Sequence, residues 1–447
     1  MAVGLEALGG LVLESILSKV EAKDAAVCAC VSTRLRSAAS DDALWRGYCA
    51  RDLAVCEPLD PDNTLCPSFK STMQEAYKRW FTSFGMYPLP LVRRAKGCWN
   101  SIKSWMSVNF PEANDTLRKG ASEAEIKSAE EFLGVKLPAA TKVLYRLCDG
   151  QETFTPNAAE KLHTAPLGII GGYEFYDNVV NVHLLPLRLV VTETKRIARH
   201  LGFFTRSKYV VVAASYYGQK FFFLNCDNDQ LYVGTRNLAE DGEMMPCVPQ
   251  DLIRQTVSHN MPQDAFLLWL EEHSRRLQSG MIKTRKIRNR RSICLFPEIP
   301  PYCSVAVTNG VQVRASAVFV PEASNPKDEG EEKYYYTYSI RMSLLPDGCM
   351  LDGVYYSSCQ LYSRHWLIRS KDVVVSDVSG EAVIGKYPLL FPGEEEFVYQ
   401  SCTPIPGAPG SVEGSFTFVP GRLSKPEGRH FDVKVAPFSL EEPEYIF

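Results

Sequence analysis

The sequence predicts three folded units in series: a helical N-terminal region, an α+β middle region and an all-β C-terminal region. Its 447 residues suffice for about three domains of ordinary size. Apolar residues recur at helical spacing up to about residue 110, whereas polar and apolar residues alternate at strand spacing after residue 292. In the stretch between, the period changes from helical to strand-like, which is typical of an α+β domain.

Composition and charge exclude several classes of protein. Hydrophobic residues make up 45% and charged residues 23%, which is ordinary for a globular chain and not for a disordered, collagenous or coiled-coil one. The 49 Lys and Arg nearly balance the 52 Asp and Glu, so no overall field recruits nucleic acid or an anionic membrane. Glu6 and Glu14 interrupt the apolar N-terminus, and we expect neither a secretory signal nor a membrane partner.

The cysteines and histidines do not form a recognised metal or catalytic motif. Fourteen cysteines are scattered along the chain, and the absence of C-x-x-C argues against a zinc ribbon or a thioredoxin-type pair. No H-E-x-x-H, G-x-S-x-G or Walker motif occurs. We therefore expect no metal, no cofactor and no catalytic residue, although folding could still bring a cysteine and a histidine together.

Three short helices are predicted within residues 1–50. Their apolar clusters at helical spacing are Val12, Ile16, Leu17 and Val20; Val27, Val31 and Leu35; and Leu44, Trp45 and Tyr48. Asp24 is the expected N-cap of the second helix. So small a unit buries little apolar surface alone, so its surplus apolar face must pack on a partner or on the rest of the chain. Residues 51–114 are expected to be a helical connector.

The N-terminal motif resembles an F-box. The matching residues are the run Leu8–Leu17, then Lys23-Asp24, Val31-Ser32-x-Arg34-Leu35 and Leu44-Trp45-Arg46. Gly9 replaces the proline of the family pattern, and Ala25 replaces its usual leucine. The resemblance implies docking onto a Skp-type adaptor, and through it onto the cullin and RING subunits of a ubiquitin ligase. The side chains expected to bind the adaptor are Leu8, Leu13, Ile16, Leu17 and Val31, with Trp45 in the core.

Residues 115–280 predict an α+β domain. Ser122 and Glu125 form an S-x-x-E capping box, and Gly134 suits the end of the same helix. Segments 209–214 and 221–225 have the composition of strands. The pairs Ala129-Glu130, Leu133-Gly134, Leu137-Pro138, Leu144-Tyr145 and Asp149-Gly150 resemble the SMI1/KNR4 (SUKH) superfamily. That resemblance implies a protein-binding module without catalytic residues.

A basic run follows the middle region. Six of its nine residues are basic: Lys283, Arg285, Lys286, Arg288, Arg290 and Arg291. We interpret residues 281–291 as a solvated linker, with a nuclear localisation signal as the alternative. The run lacks interleaved aromatic residues, so we expect no nucleic-acid partner. The expected location is the nucleus, the cytoplasm or both.

Residues 292–447 predict a β-sandwich. Tyr336, Tyr338 and Ile340 alternate with polar residues, which predicts a half-buried strand. Seven further strands are predicted at 303–307, 311–319, 361–368, 373–378, 396–401, 415–419 and 430–435. The runs Tyr336-Thr337-Tyr338, Arg364-His365-Trp366, and Gly380-x-x-Val383-Ile384-Gly385 resemble ApaG domains, which implies a fibronectin-III-like sandwich.

An F-box followed by SUKH and ApaG domains resembles the Skp-interacting F-box proteins of plants. The resemblance implies a non-catalytic substrate-recognition subunit that holds an unknown target protein on its SUKH and ApaG domains. The alternative is a small-ligand or nucleotide-phosphate binding protein that acts through an anion-binding loop, with Arg364, Gly380 and Gly385 as its residues. Ala382 occupies the middle glycine position of a dinucleotide fingerprint, which favours a plain turn.

Overall fold

The structure, a computed structural model, describes residues 8–61, 72–152, 167–176, 178–200, 208–235, 244–255, 264–287, 290–327 and 330–446. Within these ranges it confirms the predicted class: an N-terminal helical region, a mixed α/β middle domain and a β-rich C-terminal domain. One hydrophobic core runs from the N-terminal helices into the middle domain. A second core lies inside the C-terminal sandwich.

The N-terminal region is a succession of short helices followed by a long one. They are α1 (Gly10–Leu17), α2 (Ala22–Cys28), α3 (Thr33–Ala39), α4 (Asp42–Tyr48), a π-helical turn (Cys49–Leu53), α5 (Met73–Phe84), α6 (Leu89–Asn109) and α7 (Pro111–Asn114). Ser32 caps α3 by accepting a hydrogen bond from the amide of Leu35. Asp24 lies in the first turn of α2, whose N-cap is Glu21, so the predicted cap was wrong by three positions.

Helix α6 joins the N-terminal region to the middle domain. It packs against two middle-domain helices, α9 (Ala139–Leu147) and α12 (Ala265–Gln278). The indole nitrogen of Trp99 donates to the carbonyl of Leu144 at 3.2 Å, and Arg94 forms an ion pair with Glu271. These contacts join α6 to both helices, and buried residues of the helical region and the middle domain belong to one core.

The middle domain is built around an eight-stranded sheet. Its other helices are α8 (Glu123–Leu133), α10 (Leu187–His200) and α11 (Gln250–Gln255). Its strands are β1 (Gly171–Phe175), β2 (Asn178–Leu184), β3 (Tyr209–Ser215), β4 (Lys220–Asn225), β5 (Leu231–Thr235), β6 (Met245–Pro246), β7 (Lys283–Ile287) and β8 (Arg290–Cys294). The strand order is β6-β5-β4-β3-β2-β1-β8-β7, and only β1 and β8 pair in parallel. The predicted capping box at Ser122 and Glu125 is present.

The basic run is part of this sheet. Strands β7 and β8 pair as an antiparallel hairpin from Lys283 opposite Cys294 to Ile287 opposite Arg290. The interpretation of residues 281–291 as a linker was therefore wrong, and the middle domain extends to about residue 294 instead of ending at 280. Backbone hydrogen bonds of the hairpin are satisfied within the sheet, which a solvated linker would leave to water.

The C-terminal domain is a β-sandwich. Its strands are β9 (Ser304–Thr308), β10 (Val311–Phe319), β11 (Tyr334–Leu344), β12 (Cys349–Leu351), β13 (Val354–Tyr356), β14 (Cys359–Ser370), β15 (Val373–Glu381), β16 (Leu389–Leu390), β17 (Phe397–Ile405), β18 (Gly410–Arg422), β19 (Lys425–Pro426) and β20 (Phe431–Leu440). One sheet has the order β17-β11-β10-β9, and the other is built around β15-β14-β18 with β20 beside β18. Trp366 is buried between the sheets.

Strand β11 is buried on both faces. Tyr336, Tyr338 and Ile340 face the sandwich core, as the alternation predicts. The prediction of a solvated opposite face was wrong, because Thr337, Ser339 and Arg341 are also buried. That face packs on the middle domain, where the Thr337 hydroxyl donates to the carbonyl of Glu174 on β1 at 2.7 Å.

Candidate functional site

An apolar surface lies on the first two helices and the turn after α2. Five large apolar side chains are exposed there: Leu11 (82%), Val12 (48%), Ile16 (38%), Val27 (60%) and Val31 (69%). Polar and charged side chains normally surround isolated apolar ones on a protein surface. A set of this kind within two short helices is typical of a surface that another protein covers. We call these five residues the N-terminal apolar face.

The five residues expected to bind an adaptor divide into two groups. Ile16 and Val31 are exposed and belong to the N-terminal apolar face. Leu13 and Leu17 are 2% and 3% exposed, so their side chains lie in the core of the helical region, and contact with an adaptor stays a prediction for them. Leu8 is half-buried, and its carbonyl accepts a hydrogen bond from Arg34 at 2.6 Å.

Helical spacing explains this division. Leu13 and Leu17 are four residues apart and form the inward stripe of α1, whereas Val12 and Ile16 form the neighbouring outward stripe. The sequence motif covers both stripes and does not show which of them faces inward. The prediction did not include Leu11, Val12 and Val27, whose side chains are also exposed, and the same spacing would have placed Val12 on the stripe of Ile16.

The N-terminal apolar face is held on a fixed frame. The Tyr48 hydroxyl donates to the carbonyl of Leu17 at the end of α1. Arg51 donates to the carbonyls of Ser18 and Val20, at 3.3 Å each, and its guanidinium lies 4.8 Å from the centre of the Tyr48 ring. These bonds satisfy carbonyls at the end of the helix, so the orientation of α1 is set before any partner binds.

The glycine-containing loop after β15 is held closed by its own hydrogen bonds. Arg364 donates from Nη1 to the carbonyls of Glu381 and Ala382, at 3.0 and 2.7 Å. Val383 and Lys386 exchange two backbone hydrogen bonds of 3.0 and 2.8 Å across the turn. These two amides and this arginine nitrogen are therefore already used within the loop.

A carboxylate, that of Glu381, lies beside this loop. The hydroxyls of Tyr362 and Tyr387 both donate to the carboxylate of Glu381, at 3.3 and 3.1 Å. Gly380 approaches the Arg364 guanidinium closely, and Gly385 adopts a positive φ of 72°, as a tight turn requires. The geometry therefore supports a braced turn and gives no support to the alternative of an anion-binding loop.

Four of the six basic residues of the predicted localisation signal have described side chains, and their environments differ. Lys283 and Lys286 are exposed on β7, and Arg291 is an exposed partner of Glu112 at 3.7 Å. Arg285 is held in a bidentate pair with Glu298, at 2.8 Å for each bond. Arg288 lies outside the described residues, and the side chain of Arg290 does as well. The run is therefore a hairpin in which Arg285 pairs with a carboxylate inside the protein, whereas Lys283, Lys286 and Arg291 are exposed.

Comparison with known proteins gives the family. Residues 12–51 match the F-box-like family, residues 120–246 match the SMI1/KNR4 family (SUKH-1), and residues 324–420 match the ApaG domain. The chain is 53% identical over 449 residues to F-box protein SKIP16 of Arabidopsis thaliana, and the match covers 100% of both chains. The chain belongs to the SKIP16 family of F-box proteins.

More distant relatives match the whole chain or a part of it. This F-box protein is 26% identical over 425 residues to human F-box only protein 3, covering 93% of this chain and 79% of that one. It is 33% identical over 136 residues to protein ApaG of Nitrosomonas europaea, covering 30% of this chain and 93% of that one. Membership of the F-box family implies the role of substrate adaptor in a Skp–cullin–F-box ligase, and members of the family are typically non-catalytic subunits.

Ionic contacts connect the middle and C-terminal domains of this F-box protein. Glu298 lies within 3.3 Å of the guanidinium nitrogens of Arg285 on β7, Arg314 on β10 and Arg341 on β11. Burial alone would raise the pKa of Glu298, but the hydrogen bonds from Arg285 and the positive charges of all three arginines lower it to about 2. The carboxylate is therefore ionised at any physiological pH.

A second buried cluster joins the same two domains. Lys220 of β4 donates to the Tyr173 hydroxyl at 2.8 Å, and that hydroxyl donates to Glu322 of the C-terminal domain at 2.7 Å. Burial lowers the pKa of Lys220, and nearby Glu322 partly offsets the effect. Ile446, near the C-terminus, also enters the middle-domain core. The two domains are therefore joined by buried polar and apolar contacts.

The described residues contain no cluster of three or more His, Cys, Asp or Glu side chains that could hold a metal ion. Within the same ranges, no helix is long and apolar enough to cross a membrane. The thirteen described cysteines are free thiols.

Proposed function

We propose that this F-box protein is the substrate-recognition subunit of a Skp–cullin–F-box ubiquitin ligase. It binds a Skp-type adaptor through the N-terminal apolar face and holds a target protein on the joined middle and C-terminal domains. The exposure of Leu11, Val12, Ile16, Val27 and Val31 carries this proposal. An apolar surface of this composition is stabilised when a partner covers it and removes it from water.

The energetic contribution of such a face is sufficient for specific docking. Full burial of a Val, Leu or Ile side chain is worth about 1.5–3 kcal/mol. Three of the five residues, Leu11, Val27 and Val31, are more than half exposed. Since the frame of α1 is already fixed by Tyr48 and Arg51, little conformational entropy is lost when the partner binds.

The proposed mechanism is proximity. The helical region and the middle domain share a core, and the Glu298 and Lys220 clusters fix the C-terminal domain to the middle domain. A target bound to either domain is then held at a set position relative to the adaptor. Tethering raises the effective concentration of the target lysine near the conjugating enzyme, and the receptor needs no catalytic residue.

Co-purification with a Skp-type adaptor tests the proposal through two matched valines. Val27 is the penultimate residue of α2, and Val108 is the penultimate residue of α6. Both are exposed, so aspartate at either site places the same charge in the last turn of a helix. We expect Val27→Asp to abolish the one-to-one complex that the full-length wild type and Val108→Asp retain.

Circular dichroism should show equal helix content in the two variants. If both variants bind as the wild type does, or if the folded wild type binds no adaptor, the N-terminal apolar face has another partner and the proposal is wrong.

A nuclear or cytoplasmic location is part of the proposal. Lys283 and Lys286 are exposed on β7 and are accessible to an import receptor, whereas Arg285 is bound to Glu298. Imaging of a fluorescent fusion tests the nuclear location. We expect Lys283→Ala/Lys286→Ala to shift the protein toward the cytoplasm. An unchanged distribution would show that these lysines are not part of a nuclear localisation signal.

A further inference from the structure

A small pocket lies where helix α6 meets the first loop of the middle domain. Its volume is about 180 Å³. Lys96, Trp99, Asn100 and Lys103 contribute one wall, and their spacing places them on one face of α6. The loop Leu117–Gly120 forms the opposite wall, and Trp80, Pro61 and Leu147 complete the lining. The pocket is separate from the N-terminal apolar face.

The pocket wall is basic. Lys96, Lys103, Arg118 and Lys119 line it, and no Asp or Glu within the described ranges does. Arg118 is neutralised by ion pairs with Asp149 and Glu152 behind the wall. The three lysines form no ion pair with a carboxylate among the residues that the structure describes. The described part of the chain thus leaves positive charge in the pocket without a carboxylate partner.

Lys96 makes this imbalance costly. Its side chain is buried, and Nζ donates to the carbonyls of Leu53 and Ala54, at 3.3 and 2.8 Å. Nζ also lies 5.4 Å from the centre of the Trp80 ring. Carbonyls and a ring face stabilise a cation only in part, and an ammonium that is buried without a counterion is expensive. An anion in the pocket would supply the missing charge.

Two properties of the pocket specify the anion. A volume of 180 Å³ corresponds to about six water molecules, which is below the range of about 300–1,000 Å³ for drug-sized ligands. A phosphate monoester carries about −1.5 to −2 charges at pH 7 and three strong acceptor oxygens, which matches three lysines. Lysine is a common point-charge ligand for phosphate.

We propose that the pocket formed by Lys96, Lys103 and Lys119 binds a phosphate monoester. The group belongs either to a phosphorylated side chain of a bound protein or to a small phosphorylated molecule. Binding requires neither the adaptor nor the N-terminal apolar face, so this proposal and the proposed ligase function fail independently.

Intrinsic fluorescence of the full chain provides the test, because Trp80 and Trp99 line the pocket. Inorganic phosphate is titrated at neutral pH against sodium chloride at matched ionic strength. We expect a saturable change with phosphate and none with chloride. In Lys103→Gln/Lys119→Gln, which spares buried Lys96, the affinity should fall at least about tenfold, since each charged hydrogen bond is worth about 1.5–3 kcal/mol.

The control variant is Lys127→Gln/Lys434→Gln, which removes two exposed lysines that do not line the pocket and should bind as the wild type does. Equal affinity in Lys103→Gln/Lys119→Gln and the wild type would overturn the proposal, as would the absence of saturation at millimolar phosphate. Titration with capped phosphoserine separates the sources. Tighter binding than inorganic phosphate assigns a protein side chain, and equal or weaker binding assigns a small phosphorylated molecule.

Discussion

The N-terminal apolar face and the buried face of β11 have opposite compositions. On the first two helices and the turn after α2, Leu11, Val27 and Val31 are apolar and exposed to water. On β11, Thr337, Ser339 and Arg341 are polar and buried against the middle domain. Each arrangement is unfavourable for an isolated surface, because water solvates polar groups and not apolar ones.

The difference distinguishes a permanent contact from a conditional one. The polar face of β11 is covered within the chain, and its groups have partners there, such as Glu298 for Arg341 and Glu174 for Thr337. The apolar face of α1 and α2 is covered by nothing among the described residues. Internal hydrogen bonds and ion pairs therefore fix the two large domains together. The N-terminal apolar face, in contrast, remains available for burial by a binding partner.

The largest effect is expected at the centre of the interdomain contact. Glu298→Gln removes the charge that three arginines share. Arg285 and Arg314 keep Glu396 as a partner, but the buried guanidinium of Arg341 loses the carboxylate it pairs with. Loss of one member of a buried ion pair costs about 3–5 kcal/mol, and we expect this reduction in the free energy of unfolding measured with urea.

The matched control is Glu394→Gln, because Glu394 is exposed in a turn and its loss should cost less than about 0.5 kcal/mol. Equal stability of the two variants would mean that the cluster does not hold the domains together, and the contrast between the two surfaces would fail.

The second prediction contrasts neighbouring residues of α1. Leu17→Ala opens a cavity in the core and should cost about 2–5 kcal/mol of folding free energy, since Leu17 is buried. Ile16→Ala removes a partly exposed side chain and should cost less than about 1 kcal/mol. Adaptor binding of the folded variants should show the opposite order of sensitivity, which thermal unfolding and co-purification can measure side by side. Greater destabilisation by Ile16→Ala would reverse the assignment of the two stripes.

Local signals predicted much of the fold. The sandwich strands follow a period of two, and the predicted strands 311–319 and 361–368 correspond to Val311–Phe319 and Cys359–Ser370. The capping box at Ser122 is equally local, because all its atoms lie within one turn of helix. Such features depend on neighbouring residues and can be inferred without knowledge of the tertiary structure.

Contacts between domains could not be predicted in this way. The run of three glutamates at 394–396 predicts a solvated turn, yet Glu396 pairs with Arg314 on β10. Arg285 belongs to a run of basic residues that resembles a linker, but its partner Glu298 lies beyond the hairpin turn. The inward orientation of Leu13 and Leu17 also depends on how α1 packs. Each of these outcomes is decided by residues distant in sequence.

The third prediction concerns the loss of folding stability at acidic pH. The pKa of Glu298 is about 2 in the folded protein and 4.5 ordinarily, so its stabilising contribution is present above pH 5 and is lost as pH falls toward 2. Between pH 5 and pH 3, linkage predicts that the wild type loses about 2 kcal/mol through this group. Unfolding free energies of wild type and Glu298→Gln at the two pH values measure the difference. Parallel pH profiles would show that Glu298 does not titrate with a lowered pKa.

The smallest effect is expected at the loop after β15, where a polar group is already satisfied inside its own domain. Arg364→Gln removes donors to the carbonyls of Glu381 and Ala382 and should lower stability by about 1 kcal/mol, whereas Arg422→Gln at an exposed position should not. Neither variant should change the phosphate-dependent fluorescence, because Arg364 does not line the basic pocket of α6. A different outcome would be that Arg364→Gln keeps its stability but loses phosphate binding. Arg364 would then bind a ligand and would not stabilise its loop. Internal contacts alone would no longer explain the polar groups of the sandwich.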